Sequence, residues 1–269
     1  MSAGQDDYLA PQRYVDWINA NIGFNPRGQQ HSNELSKYML DDLVRKSSAL
    51  SADLASERVV AEYNKRVEAP HSGRNVDFVI RDNEAPGPLD SIRIAIEHKT
   101  LMTAHGKARL NRQGDIIAAA THNHNHGKST IVGATMIVNM SQLYRNPDAF
   151  AREIIRTQIS EEKWTAYIAD TLACFTGLSM RSDIQGEKDE PEAVAIILVH
   201  YDGENPARLV MAPPAPQPGE QGHIGVLYQR ILHFYEERFR EGDLLPPNRP
   251  HQRRKWWQRL VKSSNVLIV

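Results

Sequence analysis

The chain has a single cysteine in 269 residues, Cys174, so no internal disulfide can brace it. Cys174 falls in a helical apolar pattern with Tyr167, Ile168, Leu172 and Phe175, which reads as core packing rather than thiol chemistry. Long apolar runs are missing too: no segment reaches the roughly 18 residues that a membrane-spanning helix needs. The opening MSAGQDDYLAPQRY does not set a basic start before an apolar stretch, so no secretory signal is expected and the reading is a cytoplasmic protein with no membrane partner. Excess charge of either sign is absent, the net charge being −1 at pH 7, which excludes a globally basic polyanion binder of the histone kind. Any polyanion site must be made by local clustering. No internal repeat is visible.

What remains is the composition of a globular chain, 41% hydrophobic and 24% charged, long enough for one core domain with substantial additions. The stretch HSNELSKYMLDDLVRKSS predicts a helix, with Ser32 or Asn33 as its cap and Leu35, Met39 and Leu43 at helical spacing. Residues 53–68 are open between a continued helix and a strand around Val59 to Tyr63. NVDFVIRD alternates as a strand, with Val76, Phe78 and Ile80 on one face and Asp77 and Val79 on the other; NEAPGPLD is rich in turn formers; SIRIAIEHKT is the next strand. The two strands are expected to form an antiparallel hairpin. A helix follows from Ala104 to about Asn123, and STIVGATMIVNMS reads as a strand buried on both faces. Beyond it come helical material at 150–178, another buried strand in EAVAIILVHYDG, a proline-rich loop and the amphipathic helix GVLYQRILHFYEERFR. The expected fold is an α/β core with additional C-terminal helices and a strand.

The chemistry concentrates at the end of SIRIAIEHKT. Residues two apart on a strand share a face, so Glu97 and Lys99 project together and His98 points the other way. Pairing the hairpin strands brings Asp77 to the same place, at an expected sheet edge near solvent. Two carboxylates beside a lysine suit a hard divalent cation, which takes one or two carboxylates and keeps its other positions for water and phosphate. The lysine is placed to orient an attacking water or to neutralise charge developing on phosphate. Taken alone, however, an acid and an E-x-K at strand ends also describe an exposed salt bridge, usually worth under about 1 kcal/mol.

The aspartate of "VD", followed by "EHK" after an apolar strand, resembles the motif of the PD-(D/E)XK nuclease superfamily, the fold of many type II restriction endonucleases. Glu97-His98-Lys99 meets the (D/E)XK element and Asp77 the preceding aspartate, while Asn75-Val76 replaces the proline context. The order helix, hairpin, helix, strand agrees with that core over roughly residues 31–140. The resemblance implies a restriction-endonuclease-like central mixed β-sheet flanked by helices, and a magnesium-dependent DNA endonuclease with manganese as substitute. Its metal would be held by Asp77, Glu97 and the backbone carbonyl of His98, with Lys99 as the third catalytic residue. Glu34, on the helix before the hairpin, is a candidate accessory ligand, with Asp41 or Asp42 as alternatives. The implied partners are double-stranded DNA and a second copy of the chain; a repair or recombination nuclease and a non-catalytic nucleic-acid-binding protein are the alternatives.

Lys107, Arg109 and Arg112, with His105 nearby, lie on the helix after the catalytic strand and either contact DNA phosphates or form a solvated face. His122, His124 and His126 in THNHNHGKST read as a polar loop rather than a metal site. The tail RPHQRRKWWQRLVKS interleaves basic residues with Trp256 and Trp257, suited to nucleic-acid contact or to docking as an amphipathic helix. The expected organisation is an N-terminal extension at 1–30, a nuclease-like domain at 31–245 and a basic aromatic tail at 246–269.

Overall fold

The structure, a computed structural model, describes residues 6–21, 24, 28–69, 72–83, 92–102, 105–142, 160–203 and 205–241. The tail at 246–269, the turn between the hairpin strands and the first part of the helical material at 150–178 lie outside these residues, as do the side chains of His105 and Lys107. A short 3-10 turn precedes helix α1 (Leu9–Ala20), followed by α2 (Gln29–Lys46), α3 (Ser48–Ala55), strands β1 (Val59–Ala69), β2 (Ser72–Asp82) and β3 (Ile92–Leu101), α4 (His105–His126), β4 (Ile131–Asn139), α5 (Glu161–Thr176), β5 (Ala193–His200), β6 (Arg208–Val210) and α6 (Ile224–Glu236).

The strands form one six-stranded sheet in sequential order. β1, β2 and β3 run antiparallel, β3, β4 and β5 parallel, and β6 antiparallel to β5. Among the described residues two large apolar clusters flank it, with a small third one around Val67, Val76 and Val79. Ile94, Ile96, Ile137, Ala195 and Ile197 face Tyr14 and Ile18 of α1, Leu35 and Met39 of α2, and Leu227 and Ile231 of α6. Met136, Val138, Val194 and Ile196 face Ile116 of α4 and Trp164, Ile168 and Phe175 of α5. A helix layer on each side explains why β4 and β5 read as continuous apolar runs: neither strand has a solvent face on which polar residues could alternate. Each large apolar side chain so buried contributes roughly 1.5–3 kcal/mol. At Gly133 of β4 a Cβ would lie 3.0 Å from Ile231 Cδ1, so the absent side chain lets α6 seat closely on the sheet.

The chain is thus an α/β protein with an open mixed sheet between helix layers. Several elements depart from the sequence expectation. α1 belongs to the core rather than to an extension, because Ala10, Tyr14, Val15 and Ile18 repeat at helical spacing and are buried. α2 starts at Gln29, with Gly28 as N-cap; Ser32 lies inside the helix and its hydroxyl donates to Gln29 O at 3.0 Å instead of capping. Residues 53–68 divide between α3 and β1, and β1 adds a strand ahead of the expected hairpin. Val76 packs with Val67 and Val79 rather than with Phe78 and Ile80. Asn64, between the rungs Tyr63–Phe78 and Lys65–Val76, has a left-handed backbone (φ 49°), and the alternation breaks there.

The three histidines of THNHNHGKST are helical and buried, not a loop. They face the interior because each bonds a backbone carbonyl: His122 Nε2 to Val67 O at 3.0 Å, His126 Nδ1 to Glu68 O at 2.5 Å, and His124 Nδ1 to Lys188 O at 2.8 Å. His124 also meets Glu192 Oε2 at 3.1 Å. Glu192, fully buried ahead of β5, accepts Val132 N–H at 2.7 Å, pairs with Arg238 at 2.8 Å and lies 3.5 Å from Arg181, the side chains of both arginines being buried too. Burial pushes the Glu192 carboxyl up, but His124, Arg238 and the Val132 amide hold it below the usual carboxylate range.

Candidate active site

β2 and β3 pair as a ladder whose last rung joins Phe78 to Ile96, and there they part: β2 continues along β1 and β3 along β4. Asp77 and Glu97 are the first residues beyond the fork. The Asp77 carboxylate substitutes for the missing rung, Oδ2 accepting the His98 N–H at 2.8 Å while Oδ1 accepts the Gln29 side-chain amide at 2.9 Å. Glu97 and Lys99 share the strand face of Leu101, which packs with Ile116 of α4. Lys99 Nζ donates to Glu97 Oε2 and lies 3.8 Å from Asp77 Oδ2, so one ammonium spans both acids. Arg74 approaches Glu97 from its other side, Nε donating to Oε1 at 3.3 Å.

The group is more enclosed than a sheet-edge site near solvent. β3 is an internal strand, and the side chains of Glu97, Asp77 and Lys99 are 2%, 14% and 15% exposed. Burial pushes the Asp77 carboxyl up, yet His98, Lys99 and the two hydrogen bonds from His98 and Gln29 bring it below its ordinary value. Burial, joined by the neighbouring Asp77 charge, pushes Glu97 up by more than Lys99 and Arg74 pull it down. The fork therefore drives the two acids apart, Asp77 toward firm ionisation and Glu97 toward ready proton uptake.

His98 turns to the opposite layer. Ser36 of α2 donates its hydroxyl to Ser32 O at 2.7 Å, so at the 2.9 Å contact between Ser36 Oγ and His98 Nε2 it is the ring N–H that donates. Nδ1 is then left to accept from Thr135 Oγ1 at 2.6 Å. Burial holds this imidazole down at about 4, against an ordinary value of 6.5. Because the folded-state value is depressed, the neutral ring's contribution is present above pH 6.5 and is lost as the pH falls toward 4. The loss across that window is about 3 kcal/mol. Urea unfolding of wild type and His98→Gln at a series of pH values checks this: the two stability curves converge toward acid, whereas parallel curves would contradict it.

Other expected site residues lie apart from the fork. Glu34 pairs with Lys37 at 2.6 Å beside Tyr38, Asp41 with Arg13 at 2.6 Å, and the buried Asp42 accepts from Ala10 N–H and the Tyr228 hydroxyl. The α2 residue that reaches Asp77 is Gln29. On α4, Arg109 pairs with Asp170 of α5 at 3.2 Å; Arg112 pairs with Asp115 at 2.8 Å and donates to Thr100 O at 3.3 Å. Gln29, Arg74, Ser36 and Thr135 were not anticipated. No spacing rule marks Arg74, since Asp77 is an odd number of positions away on the same strand, and the other three come from distant elements.

Among the described residues no group of three or more His, Cys, Asp or Glu gathers as a metal cage. The chain matches no family model, no curated protein and no solved structure. What the site can do follows from its own geometry. Two carboxylates converge on one cation, Lys99, with all-oxygen donors. That set suits a hard ion that needs one or two carboxylates and retains water elsewhere.

Proposed function

We propose that the chain is a magnesium-dependent endonuclease that hydrolyses phosphodiester bonds in double-stranded DNA, of restriction type, with a restriction-endonuclease-like core. The observation that carries this reading is the Lys99 ammonium spanning Asp77 and Glu97 where β2 and β3 part. Asp77 and Glu97, with the His98 carbonyl, are the groups to hold the ion. A bound divalent cation would supply Lewis acidity toward the phosphate and neutralise its charge. Gln29 and the His98 amide fix the Asp77 carboxylate in place. Lys99 orients the attacking water and faces the negative charge that builds on the phosphate oxygens as the bond to the 3′ oxygen breaks, leaving a 5′-phosphate. Magnesium or manganese should support this reaction, and the larger, less exacting calcium should support binding with little turnover. Cutting both strands of a duplex calls for two sites related by a two-fold axis, hence a homodimer.

Incubating the protein with magnesium and unmodified plasmid and phage DNA, then sequencing the ends, tests the reading. Ends at a fixed sequence support restriction-type cleavage; ends at DNA termini or junctions would reassign it to repair or recombination; intact DNA with either metal would overturn it.

DNA contact by Lys107, Arg109 and Arg112 is part of the proposal. Replacing Arg109 and Arg112 together by alanine should weaken binding to all sequences and flatten the log-log salt dependence by roughly 0.9 per lost phosphate contact. An unchanged slope with lowered thermal stability would show that their ion pairs with Asp170 and Asp115 are their whole role.

A further inference from the structure

Arg74 has no role in the reaction as set out above, yet it lies against the same acid. It sits on β2, and its guanidinium makes two long contacts: Nε to Glu97 Oε1 at 3.3 Å and Nη2 to the Asp115 carbonyl of α4 at 3.4 Å. Its side chain is 28% exposed, against 2% for Glu97 and 15% for Lys99. Of the charged groups at the fork it is therefore the outermost, held by its longest hydrogen bonds and open to solvent.

The charge balance gives this position a consequence. With both carboxylates ionised, Asp77 and Glu97 are matched by Lys99 and Arg74, so the fork is neutral with no other ion present. A divalent cation drawn to the carboxylates leaves two positive charges in excess. Either an anion must enter or a resident cation must turn away. Lys99 is tied to both acids, whereas among the described residues Arg74 hydrogen-bonds Glu97 and a carbonyl. The phosphate of an incoming strand satisfies both demands, because it brings negative charge and offers the two oxygens that a guanidinium fork binds side by side.

We propose that Arg74 is a phosphate-binding residue that exchanges partners: it rests on Glu97 Oε1 and transfers to a phosphate of the bound strand, freeing that oxygen for the divalent cation. This rests on the nuclease reading of Asp77, Glu97 and Lys99. Its consequence is reciprocal. Nucleic acid tightens binding of the metal, and the metal tightens binding of nucleic acid, by the same factor. A lysine at this position would keep the charge but lose the fork, so the exchange is specific to arginine.

The test uses calcium as a non-turnover ion, titrated calorimetrically into the full chain with and without a short duplex, with duplex affinity measured separately in chelator. In wild type, DNA should tighten calcium binding about fivefold or more. In Arg74→Ala, calcium should bind more tightly than in wild type when DNA is absent, because its competitor for Glu97 is gone. DNA should tighten it less than in wild type, leaving only the coupling that comes from the phosphate's own contact with the ion, and duplex affinity should fall by about tenfold, the usual order for one charged hydrogen-bonding group. Arg74→Lys should restore part of the duplex affinity but not the share of the coupling lost with Arg74. A folded Arg74→Ala protein with wild-type calcium affinity, coupling and duplex affinity would overturn the role of Arg74 while leaving the metal site intact. Absence of calcium, magnesium and manganese binding in wild type would overturn the metal reading itself, and the exchange with it.

Discussion

Replacing Lys99 and replacing Asp77 should damage the protein in different ways. Lys99→Ala keeps both carboxylates, so it should still bind the divalent cation while single-turnover cleavage falls by about 10²-fold or more, the usual order for losing a positioned acid-base or electrostatic group. The loss should carry a thermal signature. Without the ammonium, Asp77 and the mostly buried Glu97 repel each other, so the variant should melt below wild type in chelator and recover in magnesium, which binds only the folded site. Asp77→Ala should lose metal binding and cleavage together. It also strips the His98 N–H of its acceptor beyond the end of the β2–β3 ladder, at a cost of about 1–3 kcal/mol that no metal restores. Calorimetric metal titration, melting with and without magnesium, and single-turnover rates separate the two. Wild-type rates in a folded Lys99→Ala protein would reduce the pair to an ordinary salt bridge.

Glu192→Ala should be the most destabilising substitution considered, by about 3–5 kcal/mol, because it leaves Arg181 and Arg238 buried without their counter-ion and His124 and Val132 N–H without their acceptor. Glu192→Gln, which keeps hydrogen-bonding capacity but loses the charge, should fall between Ala and wild type. Equilibrium unfolding in urea measures both. A loss below about 1 kcal/mol for the alanine variant would mean that the arginines find other partners and that the cluster adds little to the joining of α4, β4 and the segments before β5 and after α6.

The parts of this molecule that could be read from sequence are those specified by local period. The 3.6-residue repeat of Leu35, Met39 and Leu43 placed α2, and the unbroken apolar runs placed β4 and β5 inside a two-sided sheet. The two-residue alternation of SIRIAIEHKT set Glu97 and Lys99 on one face and His98 on the other, which is how they stand. Features set by distant contacts were not readable. His122, His124 and His126 resembled a polar loop because imidazole is polar by composition; their burial depends on carbonyls of β1 and of the segment before β5, which no local window contains. Gln29 reaches Asp77 only because α2 begins earlier than its serine suggested, on a glycine cap that leaves no side-chain signal. The enclosure of the fork was hidden for a related reason: β3 is internal because β4 pairs along its other edge, α4 lies against the face of Glu97 and Lys99, and the motif itself carries no information about what covers it.

The central claim is that Glu97 acts as a carboxylate that holds a divalent cation for phosphodiester hydrolysis. Glu97→Gln changes only the charge and one donor of that side chain, which makes it the most direct test. Wild type and Glu97→Gln, brought to equal folded fractions by thermal melting, are incubated with circular duplex DNA under single-turnover conditions, in magnesium and in excess chelator. The account predicts nicked and linear products with 5′-phosphate ends from wild type in magnesium, none in chelator, and none from Glu97→Gln in either. Cleavage by Glu97→Gln at the wild-type rate, or undiminished wild-type cleavage in chelator, would contradict it.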